Sequence, residues 1–166
     1  MSTSCRQAIE QIAQREDRAL AIVFFLFFSR FEYALKRAGF VRGLDDAQAD
    51  WAEYGRRHVT LLQADQDDSF RQAVDYLRQS PPKKQVVTNG ILAWNADRYT
   101  ADFDLGRVLT LVCRTRNNLF HGGKFPKGHE PDISRDRHLL EVGLTIMQAC
   151  LDHDETLRHI FLEALE

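Results

Sequence analysis

Ala19 to Phe28 reads ALAIVFFLFF, and SRFEYALK continues it from Ser29 to Lys36. A helix needs about 20 apolar residues to span a bilayer. The apolar run is half that, so it reads as a central core helix with one side in a subunit contact. Phe24, Phe27, Phe28, Phe31 and Leu35 recur at helical spacing and form one stripe. The pattern predicts a helix from about Glu16 to Ala38, ended by Gly39, the residue type expected just past a helix C-terminus. Its first half is apolar all round, which implies burial on more than one side.

Working outward, helix signals dominate the chain. Ser4 is placed to cap a first helix, about Cys5 to Gln14. Asp45 to Leu62 reads as a weakly amphipathic helix carrying Trp51, Tyr54, Val59 and Leu62. QADQDD, Gln63 to Asp68, is a polar break. A short helix follows, about Phe70 to Arg78, stopped by Ser80-Pro81-Pro82. Between Lys83 and Asp97, Gln85 to Thr88 suits a brief extended piece, Asn89-Gly90 is a turn signal, and NGILAWNAD reads as loop or short helix. Asp102 or Asp104 caps a helix running to about His121, which Gly122-Gly123 breaks. KFPKGHEPD is a loop. A helix from about Ile133 to Asp152 and a terminal one from Glu155 to Leu165 complete the chain. The expected fold class is all-α, a single helical bundle over residues 1–166.

The composition fits one ordinary globular domain: 166 residues, 44% apolar and 28% charged. A core of this size folds without disulfides or metal. The formal net charge of −2 gives no whole-molecule attraction to nucleic acid, so such binding must come from a local patch. Cys5, Cys113 and Cys150 are odd in number and widely spaced, against a disulfide framework or a zinc ribbon. Cys113 and Cys150 sit in apolar runs and read as small buried hydrophobes. The polar N-terminus is unlike a signal peptide. A reducing cytoplasm is the expected setting, with no membrane association.

The chemistry concentrates in Leu105 to Lys124, LGRVLTLVCRTRNNLFHGGK. At about 100° per residue, Leu105, Val108, Leu109, Val112 and Leu119 share an arc, and Arg116 falls in its middle. Arg cannot shed its charge, so a core-facing guanidinium needs a carboxylate, a phosphate or backbone carbonyls. Glu32, on the shoulder of the phenylalanine stripe, is the candidate partner. Asn117 and His121 are four apart on a neighbouring face. A helix C-terminus favours the imidazolium form, so His121 is placed to exchange a proton near neutral pH. Arg114, Arg116, Lys124 and Lys127 make the surroundings basic. These parts suit RNA phosphodiester cleavage, in which the ribose 2′-OH attacks its own phosphate. An Arg stabilises the charge that develops, and a His moves the proton. The substrate supplies its own nucleophile, so neither metal nor cofactor is called for.

Arg116-Asn117-Asn118-Leu119-Phe120-His121 resembles the signature of the HEPN superfamily, an Arg and a His separated by four to six residues with a polar residue often directly after the Arg. SRFEYALK and the flanking helices are also similar to small bacterial HEPN proteins. The resemblance covers most of the chain in architecture, but its specific part is the six-residue motif. It implies an α-helical homodimer with two motifs in one cleft and metal-independent endoribonuclease activity. It also implies a toxin or anti-phage defence role, with an antitoxin protein as a partner. Arg116, His121 and Asn117 would be catalytic, Arg114, Lys124 and Lys127 would bind substrate, and Glu32 would support Arg116.

Two other readings stand beside it. One is a non-catalytic HEPN module that binds RNA or a partner protein. The other is a helical scaffold whose Arg116 is sealed in an internal ion pair. Lys124 and Lys127 also suit plain solvated charges, and His121 a C-capping residue. Asp152-His153-Asp154 and His159 read as exposed, since His153 and His159 are six apart and do not share a helix face as ligands. His58 beside Arg57, and His129 beside Glu130, read as surface.

Overall fold

In the computed structural model, described here for residues 14, 17–63, 67–95, 103–120 and 133–163, helices carry the architecture. The expected helix at Cys5–Gln14, the loop KFPKGHEPD, and His121, Gly122, Gly123, Lys124 and Lys127 lie outside the described residues.

The phenylalanine-rich segment forms α1, Arg18–Arg37. Gly39 follows at φ 89°, the left-handed region that glycine enters without a Cβ penalty. Phe24, Phe28, Phe31 and Leu35 are fully buried. Phe27 packs on Phe161 with ring centroids 4.8 Å apart. The opposite side of the first half is not covered by the described chain: Ile22, Val23 and Leu26 are 53, 53 and 60% exposed.

The expected helix Asp45–Leu62 is corrected. Val41–Arg42 (β1) and Gln48–Ala49 (β2) pair antiparallel instead. Gly43, at φ 101°, closes the turn between them, where a Cβ would stand 2.3 Å from the Asp46 carbonyl oxygen. Helix begins only at α2, Trp51–Arg57, where Asp50 accepts the Glu53 N–H. A 3-10 turn, Val59–Leu62, follows. Then α3, Asp68–Gln79, is capped by Asp67 and ends at Ser80.

After the prolines, Gln85 to Thr88 is extended and Asn89-Gly90 turns, as expected, but Ile91–Asn95, expected as loop or short helix, is corrected to strand. Lys84–Thr88 (β3) and Ile91–Asn95 (β4) form a hairpin, with Thr88 opposite Ile91. Asn89 and Gly90 lie at φ 52° and 76°, the positive values that a two-residue type I′ turn demands at both positions. Among the described residues the fold is therefore mainly helical with two small antiparallel sheets rather than purely α.

Asp104 caps α4, Leu105–Phe120, accepting the Arg107 N–H at 2.8 Å. The last elements are α5, Ile133–His153, and α6, Glu155–Leu162, the latter capped by Asp154. Helix α5 runs centrally, against α1, α3, α4 and α6. Backbones approach closely where side chains are absent. Gly55 of α2 faces Gly106 of α4, and Gly143 of α5 faces the Phe24 ring. Arg30 of α1 donates to the carbonyls of Ile160 and Phe161, satisfying orphan groups at the end of α6. Among the described residues, no helix is long and apolar enough to cross a membrane.

Candidate functional site

The face of α4 that carries Leu105, Val108, Leu109 and Val112 is buried, as its period requires. Toward the C-terminal end this face reaches the protein's edge. There Thr115 is still buried, Leu119 is half-buried and Phe120 is exposed. Arg116 sits at this transition. Its Nη2 lies 3.2 Å from Glu32 Oε2, and its guanidinium stands over the Phe28 ring, 4.9 Å from the centroid. The two side chains are 31 and 26% exposed, so the pair is neither sealed in the core nor free in solvent. Carboxylate and aromatic face together compensate the charge that the helical wheel places on an apolar stripe.

Arg116 and Glu32 open onto a groove between α1 and α4, also lined by Phe25, Ser29 and Phe120. The Phe25 and Phe120 rings close one end, with centroids 4.8 Å apart.

Asn117, the next residue, is turned away from this groove. It lines a second cavity on the other flank of α4, facing β3, together with Arg114 and Asn118. The structure thus brings Glu32 to Arg116, and Arg114 to Asn117, but it does not place Asn117 in the Arg116 groove. One residue of helix is a rotation of about 100°, enough to separate them. Arg114 also braces the hairpin root, its Nη1 donating to the Pro82 carbonyl at 3.2 Å. Asn118 donates to the Lys83 carbonyl at 2.8 Å. His121, Lys124 and Lys127, the remaining expected site residues, lie outside the described set.

Cys113 lines the hairpin-side cavity beside Arg114 and Asn117. Burial pushes its thiol up to about 12, outweighing the nearby Arg116 guanidinium, which acts in the opposite direction. At neutral pH it is a protonated, poorly nucleophilic packing group. Cys150 is fully buried, and burial raises it to about 12 as well.

A polar cluster that sequence reasoning missed lies at the opposite end of α2. His58, expected at the surface, is only 21% exposed. Its ring stacks on Tyr54 at 4.1 Å, Nδ1 meets the Tyr54 carbonyl oxygen at 2.9 Å, and Nε2 faces Asp154 Oδ2 at 3.3 Å. Asp154 at the same time caps α6 through the Leu157 N–H. The histidine thereby ties the end of α2 to the start of α6. Its spacing to Asp154 is too long in sequence for any local motif to reveal it. Among the described residues, no three His, Cys, Asp or Glu side chains gather as a metal site would require. No family model, no curated protein and no solved structure matches this chain.

Proposed function

We propose that the chain is a HEPN-like, metal-independent endoribonuclease, with Arg116 as the phosphate-holding residue and His121 as the proton-transfer residue. The observation that supports this reading most is the state of Arg116. It is held from two sides, by Glu32 and Phe28, yet remains about one third exposed at a groove mouth. A guanidinium oriented in advance offers paired donors to a phosphoryl oxygen with little reorganisation. His121 directly follows Phe120 in the sequence.

In the proposed reaction the ribose 2′-OH loses its proton to a base and attacks phosphorus. The bond from phosphorus to the 5′ oxygen breaks, and that oxygen takes up a proton. The product end is a 2′,3′-cyclic phosphate. His121 supplies one of these proton transfers. A second copy of the chain covers the apolar face of α1 at Ile22, Val23 and Leu26, setting two Arg116 grooves near each other. A toxin or defence role, restrained by an antitoxin protein, follows from the same reading, as does a cytoplasmic setting.

One observation favours a second reading. Arg116 and Asn117 open onto different grooves, and Arg116 already has an anionic partner. A non-catalytic HEPN module that binds RNA or a protein needs no shared constellation. Incubating purified protein with RNA and excess chelator separates the two. The nuclease reading expects cyclic-phosphate ends that disappear in His121→Ala and Arg116→Ala while far-UV circular dichroism is unchanged. Binding without product, in wild type as in variants, leaves only the module. Sedimentation at micromolar concentration tests the dimer, and a monomer there removes it.

A further inference from the structure

The cavity on the hairpin side of α4 has a chemistry of its own. Its volume is about 400 Å³, within the usual size range of small-ligand sites. Lys84 and Gln85 of β3 form one wall, and Thr110, Cys113, Arg114, Asn117 and Asn118 of α4 the other. Each of these side chains carries a hydrogen-bond donor, and no carboxylate lines the cavity among the described residues. The three amides add acceptors, so this wall can match a group presenting both. The two walls are fixed to one another by the bonds from Arg114 to Pro82 and from Asn118 to Lys83. Trp94 pairs in register with Gln85, and directly opposed residues of an antiparallel ladder project from the same face. Trp94 thus shares a face of the hairpin with Gln85 without lining the cavity itself. Cations for a phosphate and amides for a base edge are polar elements that recognise a nucleotide unit of a single strand.

We propose that this cavity is a nucleotide subsite. It takes one unit of single-stranded RNA, with Lys84 and Arg114 on the phosphate and Gln85, Asn117 and Asn118 on the base edge. The assignment rests on the ribonuclease reading for its choice of ligand, but no residue is shared with the Arg116 groove. It makes the hairpin a part of the substrate-binding surface, and it gives Asn117 a role in binding rather than in phosphate chemistry.

The test uses the full chain carrying His121→Ala, with chelator, and a fluorescein-labelled single-stranded RNA ten-mer of mixed sequence. Anisotropy gives Kd across a salt series. Lys84→Gln is expected to weaken binding about fivefold and to lower the slope of log Kd against log salt by about 0.7, the value for one phosphate contact on a single strand. Gln85→Ala is expected to weaken binding without changing the slope. Arg158→Gln on α6 removes the same charge elsewhere and serves as the control. Equal effects of Lys84→Gln and Arg158→Gln, or no measurable binding by the parent, overturn the subsite. Uridine monophosphate is expected to displace the RNA at concentrations where inorganic phosphate does not. Equal displacement by phosphate overturns the base-edge contacts. Cleavage by wild type is scored separately. A Lys84-dependent slope in a chain that cuts nothing keeps the subsite and ends the nuclease reading. Cleavage with a neutral Lys84 does the reverse.

Discussion

Removing Glu32 is the perturbation that most directly probes how Arg116 is held. At 3.2 Å the gross attraction is about 5 kcal/mol for an effective dielectric near 20. Most of it is cancelled, because both groups give up much of their hydration and keep only 31 and 26% of their exposure. An exposed pair yields about 0.2–1 kcal/mol, and breaking a fully buried one costs about 3–5 kcal/mol. A coupling of about 1–2 kcal/mol is therefore expected here. The assay is a double-mutant cycle of Glu32→Ala and Arg116→Ala, unfolded in urea at pH 7 and followed by far-UV circular dichroism. The double variant should be more stable than the sum of the singles predicts by that amount. Phe28 matters to the result, since its ring continues to contact Arg116 in the Glu32 variant and limits the single loss. If the two single losses add within about 0.3 kcal/mol, the residues are uncoupled. The idea that Glu32 orients Arg116 then fails, and with it the preorganisation argument.

Other outcomes follow from different parts of the molecule. Gly55→Ala should destabilise by about 2–4 kcal/mol in urea denaturation, because the new Cβ would stand 2.2 Å from the Gly106 backbone nitrogen and drive α2 from α4. Near-wild-type stability would refute that contact. Cys113 and Cys150, both raised to about 12 by burial, should resist iodoacetamide at pH 8 in the folded protein and react once it is unfolded in urea, as peptide mass mapping will show. Glu53 is held down at about 2, chiefly by hydrogen bonds from Arg56 and Arg57. Its folded value lies below its unfolded one, so its contribution is present above about pH 4.3 and is lost as pH falls toward 2. Side-chain carboxyl NMR should place its midpoint below that of an unpartnered glutamate, and an ordinary midpoint would remove the ion pairs.

What the sequence revealed depended on whether a signal was periodic. Phe24, Phe28, Phe31 and Leu35 announce α1 because one long helix buries one long stripe. Glu32 could be named as the partner of Arg116 because an arginine on an apolar arc requires an acid, and few acids lie near a core stripe. Gln85 to Thr88 and the Asn89-Gly90 turn are legible, but the second strand of the hairpin is not. Ile91-Leu92-Ala93-Trp94 does not alternate, since the hairpin pairs with itself and exposes Ile91, Leu92 and Val87. Asp45 to Ala49 misled for another reason. Helix-compatible residues there are overruled by Gly43, whose positive φ turns the chain back on itself. The link between His58 and Asp154 joins residues almost a hundred positions apart, and only packing brings them together.

The deeper difficulty lies in reading a motif as though all its residues served one cleft. Along α4 each step turns the side chain by about 100°, so Arg116 and Asn117 address different neighbours. Arg116 meets α1 through Glu32 and Phe28, while Asn117 and Arg114 meet the hairpin. On the proposed ribonuclease reading, a strand of RNA several nucleotides long is what would meet both walls. It would then pass Phe120, which is exposed and directly precedes His121 in the sequence. On that reading the motif residues would divide a polymer between them, Arg116 meeting a phosphate and the hairpin-side cavity a neighbouring unit. That division would favour a chain-like substrate over a mononucleotide. A dinucleotide that occupies one groove alone should therefore be cut more slowly than an oligomer long enough to cross.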